Sequence, residues 1–144
     1  MFPVKEVIFS GVILIVVAYL SGSLPFSVWV GKVFYRKDVR EYGSGNAGAT
    51  NTWRVLGWKA GLPVLLLDIG KGFAATFLPY INPSLTADQE WLLWLRILCG
   101  SAAALGHIYP LFAGFRGGKA VATLLGVILG LMPMAAAGSL AVFI

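Results

Sequence analysis

Hydrophobic residues dominate four long stretches of the chain, and short polar segments separate them. The stretches cover about residues 7–31, 60–80, 91–112 and 120–144. A membrane core of about 30 Å needs roughly twenty apolar residues per helix. Lipid also offers no hydrogen-bond partners to an open strand. The pattern therefore predicts an all-α integral membrane protein, a single polytopic helical bundle over residues 1–144 with at least four transmembrane spans.

Prolines and glycines interrupt two of these stretches. Residues 21–25, Ser-Gly-Ser-Leu-Pro, break the first stretch. Pro133 lies in the fourth, which is either one span or a short helix to about Leu131 followed by another. The final residues, SLAVFI, have no polar or charged flank, whereas membrane helices usually end in an interfacial anchor. We therefore expect that this sequence is truncated at its C-terminus and that the natural chain continues beyond Ile144.

Composition supports the membrane assignment. Of the 144 residues, 58% are hydrophobic and 12% are charged, and the mean hydropathy is +0.83. Soluble domains carry roughly 25% charged residues. The single cysteine, Cys99, excludes an intrachain disulfide framework, and we expect it to be a small apolar core residue.

Charge in the polar segments predicts the orientation. Residues 32–59 hold six Lys or Arg against two acidic residues, whereas residues 81–90 hold two acidic residues and no basic one. The positive-inside rule places the basic loop in the cytoplasm. Residues 113–119, with Arg116 and Lys119, fall on the same side after two crossings. Both loops are thus expected at one membrane face, with the N-terminus outside.

The first loop contains the segment REYGSGNAGATNTWRVLGWK, residues 40–59. Its glycines match G-x-G-x-x-G, but the preceding residues are charged and do not form a strand, so a dinucleotide fold is excluded. We expect Ser44 or Asn46 to cap a helix that starts near Ala47 and stops at Gly57. On that helix Asn51 and Arg54 share one face.

An anion would find backbone amides, an amide side chain and a guanidinium together at the start of this helix. The first loop is therefore a candidate anion site. The alternative is a flexible connector whose arginine only follows the positive-inside bias.

The second loop, FRGGKAVAT, occupies residues 115–123. A Walker A motif would need Gly at position 113 and Ser or Thr at position 120, and both positions are alanine. Gly117, Gly118 and Lys119 nevertheless precede a predicted helix, where exposed amides and a lysine favour an anion. The alternative is a tight turn with a lysine that extends into water.

Three charged residues and the sole histidine lie inside predicted spans. Asp68 and Lys71 are three residues apart on one helical face, and we expect an ion pair that fixes helix packing, with a direct role in the site as the alternative. Arg96 is expected to extend outward to the membrane surface. His107 lies near both loops and is either a hydrogen-bonded packing residue or a substrate-binding residue.

Four segments together resemble the bacterial acyl-phosphate:glycerol-3-phosphate acyltransferase family, PlsY. They are AYLSGSLPFSVWVGK at residues 18–32, GSGNAGATNTWRVLG at residues 43–57, DIGKG at residues 68–72 and GHIYPLFAGFRGGKAVAT at residues 106–123. The resemblance implies transfer of a fatty acyl group from acyl phosphate to the sn-1 hydroxyl of glycerol 3-phosphate. The products would be lysophosphatidic acid and inorganic phosphate, in the first acylation of phospholipid synthesis.

The resemblance also implies residue roles. An essential serine and arginine of the family fall on Ser44 and Arg54, and its phosphate loop falls on Gly117, Gly118 and Lys119. The family has a third motif near its C-terminus, with a histidine, an asparagine and a glutamate, and this sequence has no counterpart to it.

The expected site follows from these assignments. The catalytic candidates are Ser44, Arg54 and Lys119. The substrate-binding candidates are Gly45, Asn46, Asn51, His107, Gly117 and Gly118. Glycerol 3-phosphate, acyl phosphate and membrane lipid are the expected partners, without nucleic acid, metal or cofactor, and the expected location is the bacterial inner membrane. The alternatives are a small organic-anion or phosphate transporter with broken helices, and a scaffold subunit.

Overall fold

The computed structural model of the chain describes residues 4–133, and this part contains six α-helices and no strand. The all-α prediction is confirmed for these residues. The helices are α1 (Val4–Gly22), α2 (Phe26–Tyr35), α3 (Ala49–Leu56), α4 (Trp58–Ala75), α5 (Gln89–Ile108) and α6 (Val121–Leu131). The fourth hydrophobic stretch runs to residue 144, and its part from residue 134 lies outside the described residues.

Within residues 4–133, two helical stretches are long and apolar enough to cross a membrane, judged by length and composition. They are Val4–Tyr35 and Gln89–Ala113. Helix α6 is apolar but shorter. Helix α4 has 18 residues and differs from these two stretches by its three charged residues, Lys59, Asp68 and Lys71.

The predicted interruption of the first stretch is confirmed. Helix α1 ends at Gly22 and α2 begins at Phe26. Pro25 has no N–H to continue the ladder of α1, and its ring disfavours a helical conformation before it. Ser23 stabilises the end of α1, because both its N–H and its hydroxyl donate to the carbonyl of Tyr19 at 2.9 Å.

The predicted stop at Gly57 is also confirmed. Gly57 has a φ of 86°, and its N–H donates to the carbonyl of Trp53, which closes α3. Helix α4 begins at the next residue, so α3 and α4 meet at a sharp corner. This corner places the short polar helix α3 beside the first half of α4.

Close backbone contacts hold the helices together. A Cβ atom on Gly72 would overlap the carbonyl of Thr123, and one on Gly126 would overlap the carbonyl of Ile69, so α4 and α6 pack through glycines. Gly106 approaches the carbonyl of Tyr19 in the same way and joins α5 to α1. Small residues allow such close packing in membrane bundles. Cys99 lies fully buried between these helices, as predicted.

The prediction for Arg96 is wrong. Its side chain turns into the bundle, where Nε donates to the carbonyl of Thr76 at 3.1 Å and Nη2 donates to the carbonyl of Gly130 at 2.5 Å. These two carbonyls lie at the C-terminal ends of α4 and α6, where unpaired acceptors and the negative end of each helix dipole favour a cation. Phe77 and Tyr80 cover the guanidinium, with centroids 5.4 Å away.

Candidate functional site

The side chain of Asn51 organises the first loop. Its Nδ2 donates to the carbonyls of Val39 at 2.8 Å, Tyr42 at 3.1 Å and Asn46 at 3.1 Å, and its Oδ1 accepts from the N–H of Ser44 at 2.9 Å. Asn51 is buried, at 2% exposure. Because both ends of the amide bind loop backbone, Asn51 fixes the position of Ser44 relative to α3.

The predicted helix cap is wrong. Helix α3 starts at Ala49 with Gly48 at its N-cap, and no side chain caps it. Ser44 and Asn46 instead contact each other, with Asn46 Nδ2 donating to Ser44 Oγ at 3.3 Å. The amide of Asn51 binds the backbone of the loop before α3, and this bond holds Ser44 away from the start of the helix. The sequence pattern does not reveal this bond.

Two glycines of this loop have a left-handed backbone. Gly43 has a φ of 61° and Gly45 a φ of 71°, a conformation that residues with a Cβ rarely adopt. At Gly43 a Cβ atom would also overlap Oδ1 of Asn51. The turn therefore requires glycine on both sides of Ser44, and it leaves the Ser44 side chain exposed.

The glycine-rich second loop packs against the end of α5. The N–H of Gly118 donates to the carbonyl of His107 at 3.1 Å. A Cβ atom on Gly117 would overlap that carbonyl, and one on Gly118 would overlap Nε2 of the His107 ring. Both glycines therefore make room for His107, and Lys119 follows them directly in the chain.

The prediction that the two loops come together is confirmed by direct bonds between them. Nη1 of Arg40 donates to the carbonyl of Ala113 at 2.8 Å, and the N–H of Ala47 donates to the carbonyl of Gly117 at 3.2 Å. Arg40 is itself held by Asp38. The guanidinium of Arg40 holds the pKa of the Asp38 carboxyl well below its usual range, and the hydrogen bond to Asp38 raises the pKa of Arg40.

A cavity of about 290 Å³ lies where the two loops meet helices α3, α4, α5 and α6. Its polar wall carries two exposed cationic side chains, a hydroxyl and an amide: Arg54, Lys119, Ser44 and Asn46. Its apolar wall includes Leu65, Val121 and Leu125. A cavity with this lining suits an anion that is joined to an apolar group.

A second groove of about 310 Å³ adjoins the cavity. It is lined by Ala49, Thr50, Trp53, Arg54 and Leu65, and all of these except Trp53 also line the first cavity. Trp53 is half exposed on the outside of α3. The polar cavity therefore has an apolar extension that starts at Arg54.

Asp68 and His107, two members of a buried polar cluster, line one wall of the cavity. Lys71 Nζ lies 2.9 Å from Oδ1 of Asp68, and Nδ1 of His107 lies 3.5 Å from the same oxygen. Lys71 also donates to the carbonyl of Leu24 at 3.2 Å, in the break between α1 and α2. All three side chains are at most 8% exposed. The cluster connects the helix break, α4 and α5 beside the site.

The structure brings most of the sequence-predicted residues to one place. Seven of them line the cavity: Ser44, Asn46, Asn51, Arg54, Asp68, His107 and Lys119. Among the described residues, four others lie outside its lining: Gly45, Lys71, Gly117 and Gly118. Lys71 and Gly117 border a small hollow directly behind Asp68 and His107.

Sequence reasoning missed several residues of this region. Leu65 precedes Asp68 by three residues and Thr50 precedes Arg54 by four, so helical spacing could have placed both on the site face. No comparable pattern marks Asp38 and Arg40. Their role depends on the carbonyl of Ala113, which is distant in sequence.

The described residues offer little to a metal ion. Within residues 4–133, no group of three or more His, Cys, Asp or Glu side chains lies close enough together to hold one. Besides the buried Asp68 and His107, the cavity offers two cations, two hydroxyls and amides. Such groups bind phosphate and stabilise negative charge.

Comparison with known proteins identifies the relatives of this chain. A family model described as glycerol-3-phosphate acyltransferase matches residues 12–144. The chain belongs to this family. It is 53% identical over 133 residues to a glycerol-3-phosphate acyltransferase of Listeria monocytogenes serovar 1/2a, covering 92% of this chain and 65% of the relative. It is 52% identical over 128 residues to the Enterococcus faecalis protein of that name, covering 85% and 53%.

Two solved structures are similar to the family member described here. One is PlsY, an integral membrane glycerol 3-phosphate acyltransferase, in its glycerol 3-phosphate form, with a TM-score of 0.75 and 42% identity. The other is its lysophosphatidic acid form, with a TM-score of 0.71 and 40% identity. Each match covers 92% of this chain and 62% of the solved chain. The chain is therefore an all-α integral membrane protein of this family, and it spans less than two thirds of the relatives it matches.

Proposed function

We propose that the protein transfers a fatty acyl group from acyl phosphate to the sn-1 hydroxyl of glycerol 3-phosphate. The observation that carries this proposal is one cavity that is lined by Arg54 of α3, by Lys119 of the second loop and by the hydroxyl-bearing Ser44. Two cations suit two phosphate-bearing substrates. The similar solved chain has a glycerol 3-phosphate form and a lysophosphatidic acid form, which are the acceptor and the product of this reaction.

The reaction needs little covalent help from the protein. The sn-1 oxygen attacks the acyl carbonyl carbon, an ester bond forms, and the bond from that carbon to the phosphate oxygen breaks to release inorganic phosphate. As a hypothesis, the hydroxyl proton passes to a phosphate oxygen of a substrate. A pH profile of turnover that follows one ionising side chain and disappears with its mutation would contradict this route.

The protein then contributes position and charge. Arg54 and Lys119 hold two anions that otherwise repel each other, which makes the encounter intramolecular. Ser44, fixed by Asn51, donates to the attacking hydroxyl or to the oxyanion that develops on the acyl carbonyl. Gly45, Gly117 and Gly118 act by shaping the two loops. Asp68 and Lys71 act as a structural ion pair that supports His107 at the cavity wall.

The apolar groove beside Arg54 is the proposed position of the acyl chain. It is continuous with the cavity through Leu65 and Thr50, and Trp53 forms its outer side. A chain lying there would place its phosphate end next to Arg54. This apolar extension supports an acyl donor over a small inorganic anion, and the described residues offer no observation that favours the transporter.

We propose that the protein lies in the bacterial inner membrane, with the N-terminus outside and residues 32–59 and 113–119 in the cytoplasm. The basic residues of these loops support this orientation. A membrane-impermeant thiol reagent would test it in intact cells. It should label cysteine at position 87 and spare cysteine at position 116, and the reverse pattern would show the opposite orientation.

Phosphate release by the native gene product in detergent tests the reaction. With glycerol 3-phosphate present, acyl phosphate should give phosphate and lysophosphatidic acid, whereas acyl-CoA should give no lysophosphatidic acid. Arg54→Ala and Lys119→Ala should each lower kcat/KM by about a hundredfold or more, since each removes a preorganised charge from the cavity.

Lys59→Ala is the matched control, because Lys59 is an exposed cation just after α3 that does not line the cavity. Its activity should stay within about twofold of the parent. Folded parent protein that releases no phosphate, or equal losses in all three variants, would overturn the proposed function.

A further inference from the structure

Arg40 makes contacts that the proposed reaction does not use. Its Nε and Nη2 donate to the two carboxylate oxygens of Asp38, at 2.9 and 2.7 Å, and its Nη1 donates to the carbonyl of Ala113 at 2.8 Å. The side chain of Arg40 is 16% exposed and that of Asp38 is 11% exposed. The planar guanidinium thus fastens one loop to the other with fixed geometry. We call this arrangement of Asp38, Arg40 and the Ala113 carbonyl the clasp.

The local backbone also holds Arg40 in place. Asp38 Oδ1 accepts from the N–H of Arg40 at 3.0 Å and caps the short turn Val39–Glu41. The carbonyl of Val39, inside that turn, is one of the acceptors of Asn51. The clasp is therefore connected directly to the network that positions Ser44.

The part of the second loop that follows Ala113 needs such support. Phe115 has a φ of 60° and Ala120 a φ of 56°, a left-handed conformation that is disfavoured for residues with a Cβ. Conformations of this kind persist where surrounding contacts determine them. The carbonyl of Ala113 also accepts from the N–H of Arg116 at 3.4 Å, so Arg40 binds at the point where the chain turns towards Lys119.

We infer that Arg40 is a positioning residue that sets the place of Lys119 relative to Arg54 by clasping Ala113. The inference rests on the proposed function for the role of the two cations, and it adds a residue that touches neither substrate. Loss of the clasp releases the start of the second loop, and Lys119 then samples a wider range of positions. The expected consequence is weaker binding of the substrate that Lys119 holds.

Steady-state kinetics separate this role from general destabilisation. Lys119→Arg and Arg54→Lys serve as reference variants, because each retains charge and identifies the substrate whose KM depends on that residue. Arg40→Ala should raise by about tenfold the KM of the substrate that responds to Lys119→Arg, and leave the other KM within about twofold. A KM pattern like that of Arg54→Lys, or a fall in kcat with both KM values unchanged, would overturn the inference.

Two variants distinguish geometry from charge. Arg40→Lys keeps the charge but offers one ammonium, which cannot contact both Asp38 oxygens and Ala113 with the same geometry, so the KM should lie between those of the parent and Arg40→Ala. Lys32→Ala is the matched control. Lys32 contacts the same carboxylate at 3.1 Å but is 55% exposed, so its removal should leave both KM values unchanged. Full recovery in Arg40→Lys would contradict the role of geometry.

A distance measurement tests the clasp without relying on activity. Spin labels on cysteines at the exposed positions Glu41 and Arg116 report the separation of the loops, and buried Cys99 does not compete for the label. The distribution should be narrow in the parent and in Lys32→Ala, and broader in Arg40→Ala. An unchanged distribution in Arg40→Ala would overturn the clasp. Parent protein with a narrow distribution but no acyl transfer would instead refute the proposed function.

Discussion

The two loops and the helix interfaces both depend on glycine, but for different physical reasons. In the first loop, Gly43 and Gly45 have a left-handed backbone that a side chain would strain. At the interface of α4 and α6, Gly72 and Gly126 are helical, and the neighbouring backbone occupies the space of their missing side chains. The first group shapes a turn around Ser44, and the second determines how closely two helices approach. Substitutions should therefore affect the site in one region and the stability of the bundle in the other.

The second loop combines the two uses. Gly117 and Gly118 lie in a loop, yet neither has a positive φ, and both are limited by contact with His107. In this respect they resemble the glycines of the helix interfaces. A motif that predicts a phosphate loop from its residue types thus also works as a packing surface for the end of α5.

The largest stability effect is expected at the buried pair of Asp68 and Lys71, which lies between the loops of the site and the helix interfaces. Lys71→Met removes the cation and leaves the Asp68 carboxylate without its ammonium partner, which should cost about 3–5 kcal/mol of unfolding free energy. The double variant Asp68→Leu with Lys71→Met removes both charges and should recover most of that loss. Thermal unfolding in detergent measures both.

Lys71→Met and the double variant also separate a role in the stability of the bundle from a role in the activity of the site. If the pair only fixes helix packing, the double variant should recover activity together with stability. If Asp68 also supports His107 at the cavity wall, stability should return without activity. A double variant less stable than Lys71→Met alone would contradict the ion-pair account.

The next largest effect is expected within α4, from two glycines two residues apart. Gly72→Ala places a methyl group against the carbonyl of Thr123, which is backbone and cannot move aside alone, and the expected cost is about 1–3 kcal/mol. Gly70→Ala is the matched control, because no atom lies within 4 Å of the added carbon. Its stability should be equal to or slightly above that of the parent, since alanine favours a helix. Equal losses at both positions would show that the α4 and α6 contact is not responsible.

Much of the fold could be predicted because hydrophobic length and helix-breaking residues are local signals. The break before Phe26 and the stop at Gly57 follow from single residues, and both are confirmed. The meeting of the two loops also followed from counting membrane crossings. The bonds that hold the loops together could not be predicted, because Ala113 and Gly117 take part through their backbone carbonyls, which every residue type has.

The candidate site shows the same limit. Asn51 was assigned by type and spacing and Ser44 by the family resemblance, but the sequence does not show that Asn51 binds loop carbonyls while Ser44 remains exposed. Arg96 was expected to reach the membrane surface, and it binds two helix ends instead. In each case the missing information is the partner, which lies far along the chain or is a backbone atom.

The smallest effect is expected in the first loop, again from a matched pair of glycines. Gly45→Ala forces alanine into a φ of 71°, where no atom lies nearer than 3.5 Å to the added carbon, so the cost is conformational and should be about 1–2 kcal/mol. Gly48→Ala adds a methyl group in open space on an extended backbone, and its stability should stay within about 0.5 kcal/mol of the parent. Gly45→Asn should fall between them, because asparagine tolerates the left-handed region better than alanine. Unfolding in detergent ranks the three variants.

The turn around Ser44 should also affect the reaction. Because Ser44 precedes Gly45, the same ranking of the three variants should appear in kcat. A loss of kcat in Gly48→Ala larger than that in Gly45→Ala would show that contact within the cavity, rather than the shape of the turn, limits the reaction.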